Sequence, residues 1–188
     1  MKIICLGDSL TSGFQLHPKE GWVSLLWQET GIDWINAGIH GDTAMGMLVR
    51  LQTEVLPQNP DAVLLLGGDN DILLTGSADQ AKSCMMAMIH QCVAKGVKPI
   101  VGIQFPIMNI PEMWQKVAEL KAAQAALAEY IRWLRALAHT LSLRSVDFAA
   151  AFAAVGDPME LYLPDGIHPS AKGCRIMADT VKRSRMVS

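Results

Sequence analysis

A serine near the start of the chain and an aspartate–histidine pair near its end are the residues best suited to chemistry. Ser9 stands in Gly7-Asp8-Ser9-Leu10-Thr11, directly after the apolar run Ile3-Ile4-Cys5-Leu6. A serine that leaves a buried strand and turns into a helix is exposed and close to a positive helix end. Both features favour an alkoxide nucleophile and its tetrahedral adduct. Asp165 and His168 stand in Leu163-Pro164-Asp165-Gly166-Ile167-His168-Pro169-Ser170. Three residues apart in a loop flanked by proline and glycine, they can point into one cleft. The imidazole can then act as general base toward Ser9, and the carboxylate can fix its tautomer and stabilise the imidazolium.

Two glycine-bearing segments lie between these ends, Asn36-Ala37-Gly38-Ile39-His40-Gly41-Asp42-Thr43 and Gly67-Gly68-Asp69-Asn70-Asp71. Glycine lets a backbone N–H approach an oxyanion closely, and an asparagine amide is a neutral donor that can aim at the same point. Neither segment has the GxGxxG or GxxxxGK[ST] spacing of a phosphate cradle. Taken singly, each of the four segments also has the composition of a plain turn. Asp69 and Asp71 read as partners of loop backbone rather than metal ligands. His40 can touch a substrate or simply face solvent. His17, His90 and His139 have no motif around them.

The elements that would position these residues alternate along the chain. Apolar runs predict strands over Lys2–Leu6, Ile32–Asn36, Ala62–Leu66 and Pro99–Gln104, and Arg144–Asp147 reads as a fifth, short strand. Helical spacing covers Trp22–Glu29, Thr43–Leu56 (ended by Pro57), Ser77–Lys95 (capped by Ser77 or Asp79 and stopped by Gly96), Glu112–Leu141 with room for one break, and Ser170–Ser184 with Ser170 as cap. Strand–helix alternation predicts an α/β fold, a parallel sheet covered on both faces, with ligands bound beyond the strands' carboxyl ends. All four chemistry-bearing segments follow a strand or precede the last helix. No repeat or linker divides residues 1–188, so one domain is expected.

The four segments occur in the order and positions seen in the GDSL/SGNH hydrolases, which the chain resembles along nearly its whole length. The resemblance rests on Gly7-Asp8-Ser9-Leu10, on Gly41 in Asn-Ala-Gly-Ile-His-Gly-Asp-Thr, on Gly68-Asp69-Asn70-Asp71, and on Asp165–His168. It implies Ser9 as nucleophile, His168 as base and Asp165 as its orienting acid. It implies an oxyanion hole made by the Ser9 N–H, the Gly41 N–H and the Asn70 side chain. It also implies a three-layer α/β/α sandwich with a five-stranded parallel sheet of flavodoxin-like topology. The activity expected from it is cofactor-free hydrolysis of acyl esters of lipid-like, aryl or thioester type through an acyl-enzyme on Ser9. A deacetylase of acetylated carbohydrates on the same triad is the alternative. A non-catalytic α/β binding module is disfavoured because nucleophile, base, acid and oxyanion donors are all present.

The remaining signals narrow the partners. The net charge of −2, from 16 basic and 18 acidic residues, carries no nucleic-acid footprint. No apolar run nears the roughly 20 residues of a membrane helix, so stable membrane insertion is not expected; the resemblance implies a small-molecule ester as the partner. The start of the chain lacks the apolar core of a secretory signal. Cys5, Cys84, Cys92 and Cys174 form no CxxC pair and read as reduced, buried thiols, which suits the cytoplasm. No Cys/His cluster suggests a metal. Residues 104–114 carry large apolar side chains and two prolines after a strand end. Phe105, Met108 and Trp114 are therefore expected either as a substrate-binding wall or lid, or as packing under the next helix.

Overall fold

A computed structural model describes residues 1–116 and 118–184. Five parallel strands form its centre: β1 Lys2–Gly7, β2 Asp33–Gly38, β3 Ala62–Leu66, β4 Lys98–Ile103 and β5 Arg144–Asp147. They lie in the order β2-β1-β3-β4-β5, the flavodoxin-like arrangement. The ladders put Gly7 beside Gly38 on one side and Leu66 on the other. The ends of β1, β2 and β3 are therefore level, and the segments after them open on the same edge.

Both sheet faces are apolar because alternate residues of a strand point opposite ways. Ile4, Leu6, Val63, Leu65, Val101 and Ile103 meet α3 (Ala44–Arg50), α4 (Asp69–Thr75), α5 (Asp79–Ala94) and α6 (Leu120–Thr140). Ile3, Cys5, Leu64, Leu66 and Ile100 meet α2 (Trp22–Thr30), α7 (Phe148–Ala153) and α8 (Ala171–Arg183). The result is a three-layer α/β/α sandwich. α1, a single turn over Ser9–Ser12, sits at the strand ends. No helix among the described residues is long and apolar enough to cross a membrane.

The strands read from sequence agree with those observed to within two residues at each end. The helices depart more. The stretch expected over 43–56 is a helix only to Arg50. It then widens into a π turn over Leu51–Val55 and tightens into a 3-10 turn over Leu56–Gln58. The expected stretch 112–141 crosses Val117, which lies outside the described residues. On either side of it are a 3-10 turn, Glu112–Trp114, and α6. α5 starts at Asp79 with no side-chain cap, whereas Ser170 caps α8 as expected, accepting from the Gly173 N–H. Two short helices, α4 and α7, had no counterpart in the sequence reading.

Residues 104–111 settle the choice between wall and core for two of three side chains. Phe105 is 1% exposed and stacks on Phe152 with centroids 4.0 Å apart. Met108 packs against the same core layer. Neither lines the cleft described below, which corrects the expectation that they bind substrate. Backbone bonding explains why. Gly166 O accepts from Met108 N at 2.8 Å, the Gln124 amide donates to Ile107 O, and Tyr162 Oη donates to Pro106 O. The segment is strapped down at three places, so these side chains turn inward. Phe105→Ala should therefore cost about 3–5 kcal/mol of stability, with no change in chain-length preference toward the acyl esters that the resemblance implies. Denaturant unfolding together with a chain-length series checks this, and a shifted preference in a protein of normal stability contradicts it.

Candidate active site

Ser9 is the first residue of α1, and two local features place it. Asp8 caps the turn, its Oδ1 accepting from Leu10 N at 2.9 Å. Gly7 lets the turn fold back on the sheet. A Cβ there would lie 2.2 Å from Thr11 Oγ1 and 2.5 Å from Leu66 O. Ser9 itself is 7% exposed, at the floor of a cleft.

The loop before α8 reaches Ser9 from across the molecule. His168 Nε2 lies 2.8 Å from Ser9 Oγ, and His168 Nδ1 lies 2.6 Å from Asp165 Oδ2. An ionised carboxylate only accepts, so Nδ1 carries the hydrogen and Nε2 presents a lone pair to the serine hydroxyl. Asp165 Oδ1 accepts from the backbone N–H groups of Ile167 and His168. Burial would raise the Asp165 carboxyl. The His168 side chain and these two N–H groups outweigh it and hold the carboxyl below its usual range. The loop needs Gly166, whose φ is +71° and where a Cβ would lie 2.7 Å from Asn109 Cβ. Phe14 covers the imidazole, with ring centroids 4.2 Å apart.

Ser9, Gly41, Asn70 and His168 line one cleft of about 230 Å³. The Ser9 N–H belongs to the first turn of α1 and has no partner within the helix. Gly41 follows β2 with φ +73°. Asn70 is on the first turn of α4, where Gly68, at φ +113°, turns the chain from strand to helix. One hydrogen of the Asn70 amide goes to Asp42 O at 2.8 Å, which fixes the amide plane and leaves the second for the cleft. The structure thus brings together Ser9, Asp165, His168, Gly41 and Asn70. Trp114 joins them on the cleft wall with Leu73, Leu74, Ile110 and Ile167. Such an arrangement can move a proton from a hydroxyl to an imidazole beside donors suited to a developing oxyanion.

Arg50 was not singled out in the sequence, yet it ties the loops together. Its guanidinium bonds Asp42 Oδ2 through Nε and Nη2, Ala37 O at 2.8 Å and Gly7 O at 3.0 Å. One side chain thereby joins the ends of β1 and β2 to the loop bearing Gly41. Its only sequence signal is a basic residue on the predicted helix after that loop.

Asp71 Oδ2 accepts from Ala44 N, the backbone role expected of it, whereas Asp69 Oδ1 accepts from the Gln104 side chain. Asp8 and Asp69 are 1% and 4% exposed, and neither has an ion-pair partner among the described residues. Burial pushes Asp8 well above the usual carboxylate range, with the charge of Asp69 adding to it. Burial likewise raises Asp69 to about 7, the Gln104 hydrogen bond opposing and the charge of Asp71 adding.

The fold and the hydroxyl–imidazole–carboxylate chain are those of a class, the parallel α/β proteins with a serine-nucleophile site at the carboxyl edge of the sheet. Within it, a model of the GDSL-like lipase/acylhydrolase family matches residues 5–176, and the chain belongs to that family. It is 31% identical over 130 residues to esterase TesA of Pseudomonas aeruginosa, covering 66% of this chain and 65% of that one. It spans about half the length of other curated relatives it matches. An acetylxylan esterase of Geobacillus stearothermophilus is 23% identical over 94% of this chain and 90% of its own length. A solved member of the lipolytic G-D-S-L family from Veillonella parvula superposes with a TM-score of 0.84 at 21% identity, covering all of both chains.

The raised Asp69 carboxyl has a measurable consequence. The folded state binds its proton more tightly than the unfolded chain, whose aspartates titrate near about 3.9. Stability contributed by this group is therefore lost as pH rises from about 4 to about 7. Asp69→Asn stays neutral and keeps an acceptor for Gln104. Its melting temperature should gain on the parent between pH 5 and pH 8. A difference that stays constant across that range contradicts the assignment.

Proposed function

We propose that the protein hydrolyses small acyl esters through an acyl-enzyme on Ser9, without a cofactor. The observation that carries this reading is the unbroken hydrogen-bond chain Ser9–His168–Asp165 opening on a cleft with a largely apolar wall. In the first half-reaction His168 Nε2 takes the Ser9 proton as Oγ attacks the ester carbonyl. Asp165 stabilises the imidazolium, and the Ser9 and Gly41 N–H groups with the Asn70 amide meet the oxyanion. Collapse breaks the ester C–O bond, and His168 returns the proton to the leaving alkoxide. In the second half water attacks the acyl-enzyme, giving its proton to His168, and the acid leaves as Ser9 recovers its own.

Leu73, Leu74, Ile110, Trp114 and Ile167 favour an apolar acyl group, and about 230 Å³ is smaller than most ligand pockets, which suits a short one. The likeness to an acetylxylan esterase supports a second reading, removal of acetyl groups from a carbohydrate on the same triad. Acyl length separates the two. The cytoplasm is the proposed location, because all four cysteines are free and buried, as suits a reducing compartment.

Ser9→Ala should fold normally and lose several orders of magnitude in kcat, and Asn70→Ala should lose about 10²–10³-fold in kcat with a smaller change in KM. Substantial turnover by folded Ser9→Ala overturns the reading. An effect of Asn70→Ala confined to KM removes that residue from the oxyanion hole.

Trp114 is 44% exposed on the cleft wall. Trp114→Ala should move the optimum of a p-nitrophenyl ester series toward longer chains while the melting temperature changes little. An enzyme that turns over acetate alone, with an optimum insensitive to Trp114, supports the deacetylase reading instead.

A further inference from the structure

The strand order gives the cleft two unlike ends. Leu73 and Leu74 follow β3, and Ile110 and Trp114 follow β4; His40 and Gly41 follow β2, on the opposite side of β1 and Ser9. Phe14 links His168 to the β2 end. The His168 ring lies against Phe14, tilted by 31° with centroids 4.2 Å apart, and Phe14 meets His40 edge-on with centroids 5.2 Å apart. The imidazole that protonates the leaving oxygen is the one that took the serine proton. The leaving alcohol therefore lies on the imidazole side, against Phe14 and His40, and the acyl chain runs along the apolar end.

His40 is poised to read that alcohol. Its Nδ1 lies 2.7 Å from Ser12 Oγ, which is also 3.3 Å from Ser9 O. A hydroxyl has one hydrogen. Both contacts are served at once only if Ser12 donates to the Ser9 carbonyl and accepts from Nδ1–H. His40 Nε2 is then a free lone pair on a residue that lines the cleft.

We infer that His40 is a specificity-determining residue whose Nε2 accepts a hydrogen bond from a hydroxyl of the leaving alcohol, so that esters of polyhydroxy alcohols are preferred over esters of simple alkanols. The inference rests on the triad reading above and adds the alcohol class to it. It also suits the position of His40. An exposed side chain beside the oxyanion loop contributes little to the core, so its substitution reads out binding rather than folding.

The test compares kcat/KM on glyceryl monobutyrate and ethyl butyrate, which share an acyl group and differ in the alcohol. The parent enzyme should favour the glyceryl ester. In His40→Ala the glyceryl-to-ethyl ratio should fall about 3- to 10-fold, the effect of one neutral hydrogen bond. His40→Gln, whose amide oxygen can accept the same bond, should recover part of the ratio. A parent enzyme without the preference, or a ratio unmoved in His40→Ala, overturns the inference. Ser9→Ala is measured beside them. If it still turns over both esters, the triad reading has failed. If it is inactive and the ratio is unmoved, only the role of His40 has failed.

Discussion

The contact between Ser9 Oγ and His168 Nε2 joins residues 159 positions apart, and the fold is arranged to hold it. The proposed proton transfer between these atoms requires strand β1 and the loop before α8 to stay in register to within a fraction of an ångström. The sheet supplies the rigidity, because β1 is hydrogen-bonded along both edges and buried on both faces. β1 and β3 also flank the point where the strand order reverses, so the segments after them diverge to opposite faces and leave a crevice. Ser9 follows one of these strands and Asn70 the other.

Electrostatics is the second constraint. The oxyanion of the proposed reaction would form in a region that also contains Asp8, Asp42, Asp69 and Asp71, and four ionised carboxylates there would oppose it. The structure meets this in three ways. Arg50 neutralises Asp42. The Ala44 N–H at the start of α3 receives Asp71. Burial raises the carboxyls of Asp8 and Asp69, which favours their protonated forms. The same Arg50 that offsets a charge fixes the loop carrying Gly41, so charge balance and donor geometry depend on one side chain.

The strands and the residues after them were legible because each signal is local. For β1, β2 and β3 an apolar run ended by glycine marks the strand, and a polar cluster after it marks the open edge of a parallel sheet. α4 and α7 are seven and six residues long, too short for a 3.6-residue period to repeat twice. The Gly67-Gly68 pair also concealed that Asn70 belongs to a helix rather than a turn. Phe105 and Met108 were read as equally suited to wall or core because their side chains are chosen by tertiary contacts. Bonds to the backbone of residues 106–108 from Gly166, Gln124 and Tyr162, all distant in sequence, send them inward. Trp114, beyond the straps, faces the cleft. Arg50 illustrates the same limit, since a helical basic residue shows its importance only once three loops meet around it.

The central claim is that one hydroxyl among the serines, that of Ser9, is activated by the imidazole of His168. Reaction with a fluorophosphonate followed by peptide mapping tests it most directly. The account predicts one phosphonyl adduct, on Ser9, formed quickly by the parent protein and at least about a hundredfold more slowly by folded His168→Ala. An adduct on another serine, or equal labelling of Ser9 with and without the imidazole, would contradict it.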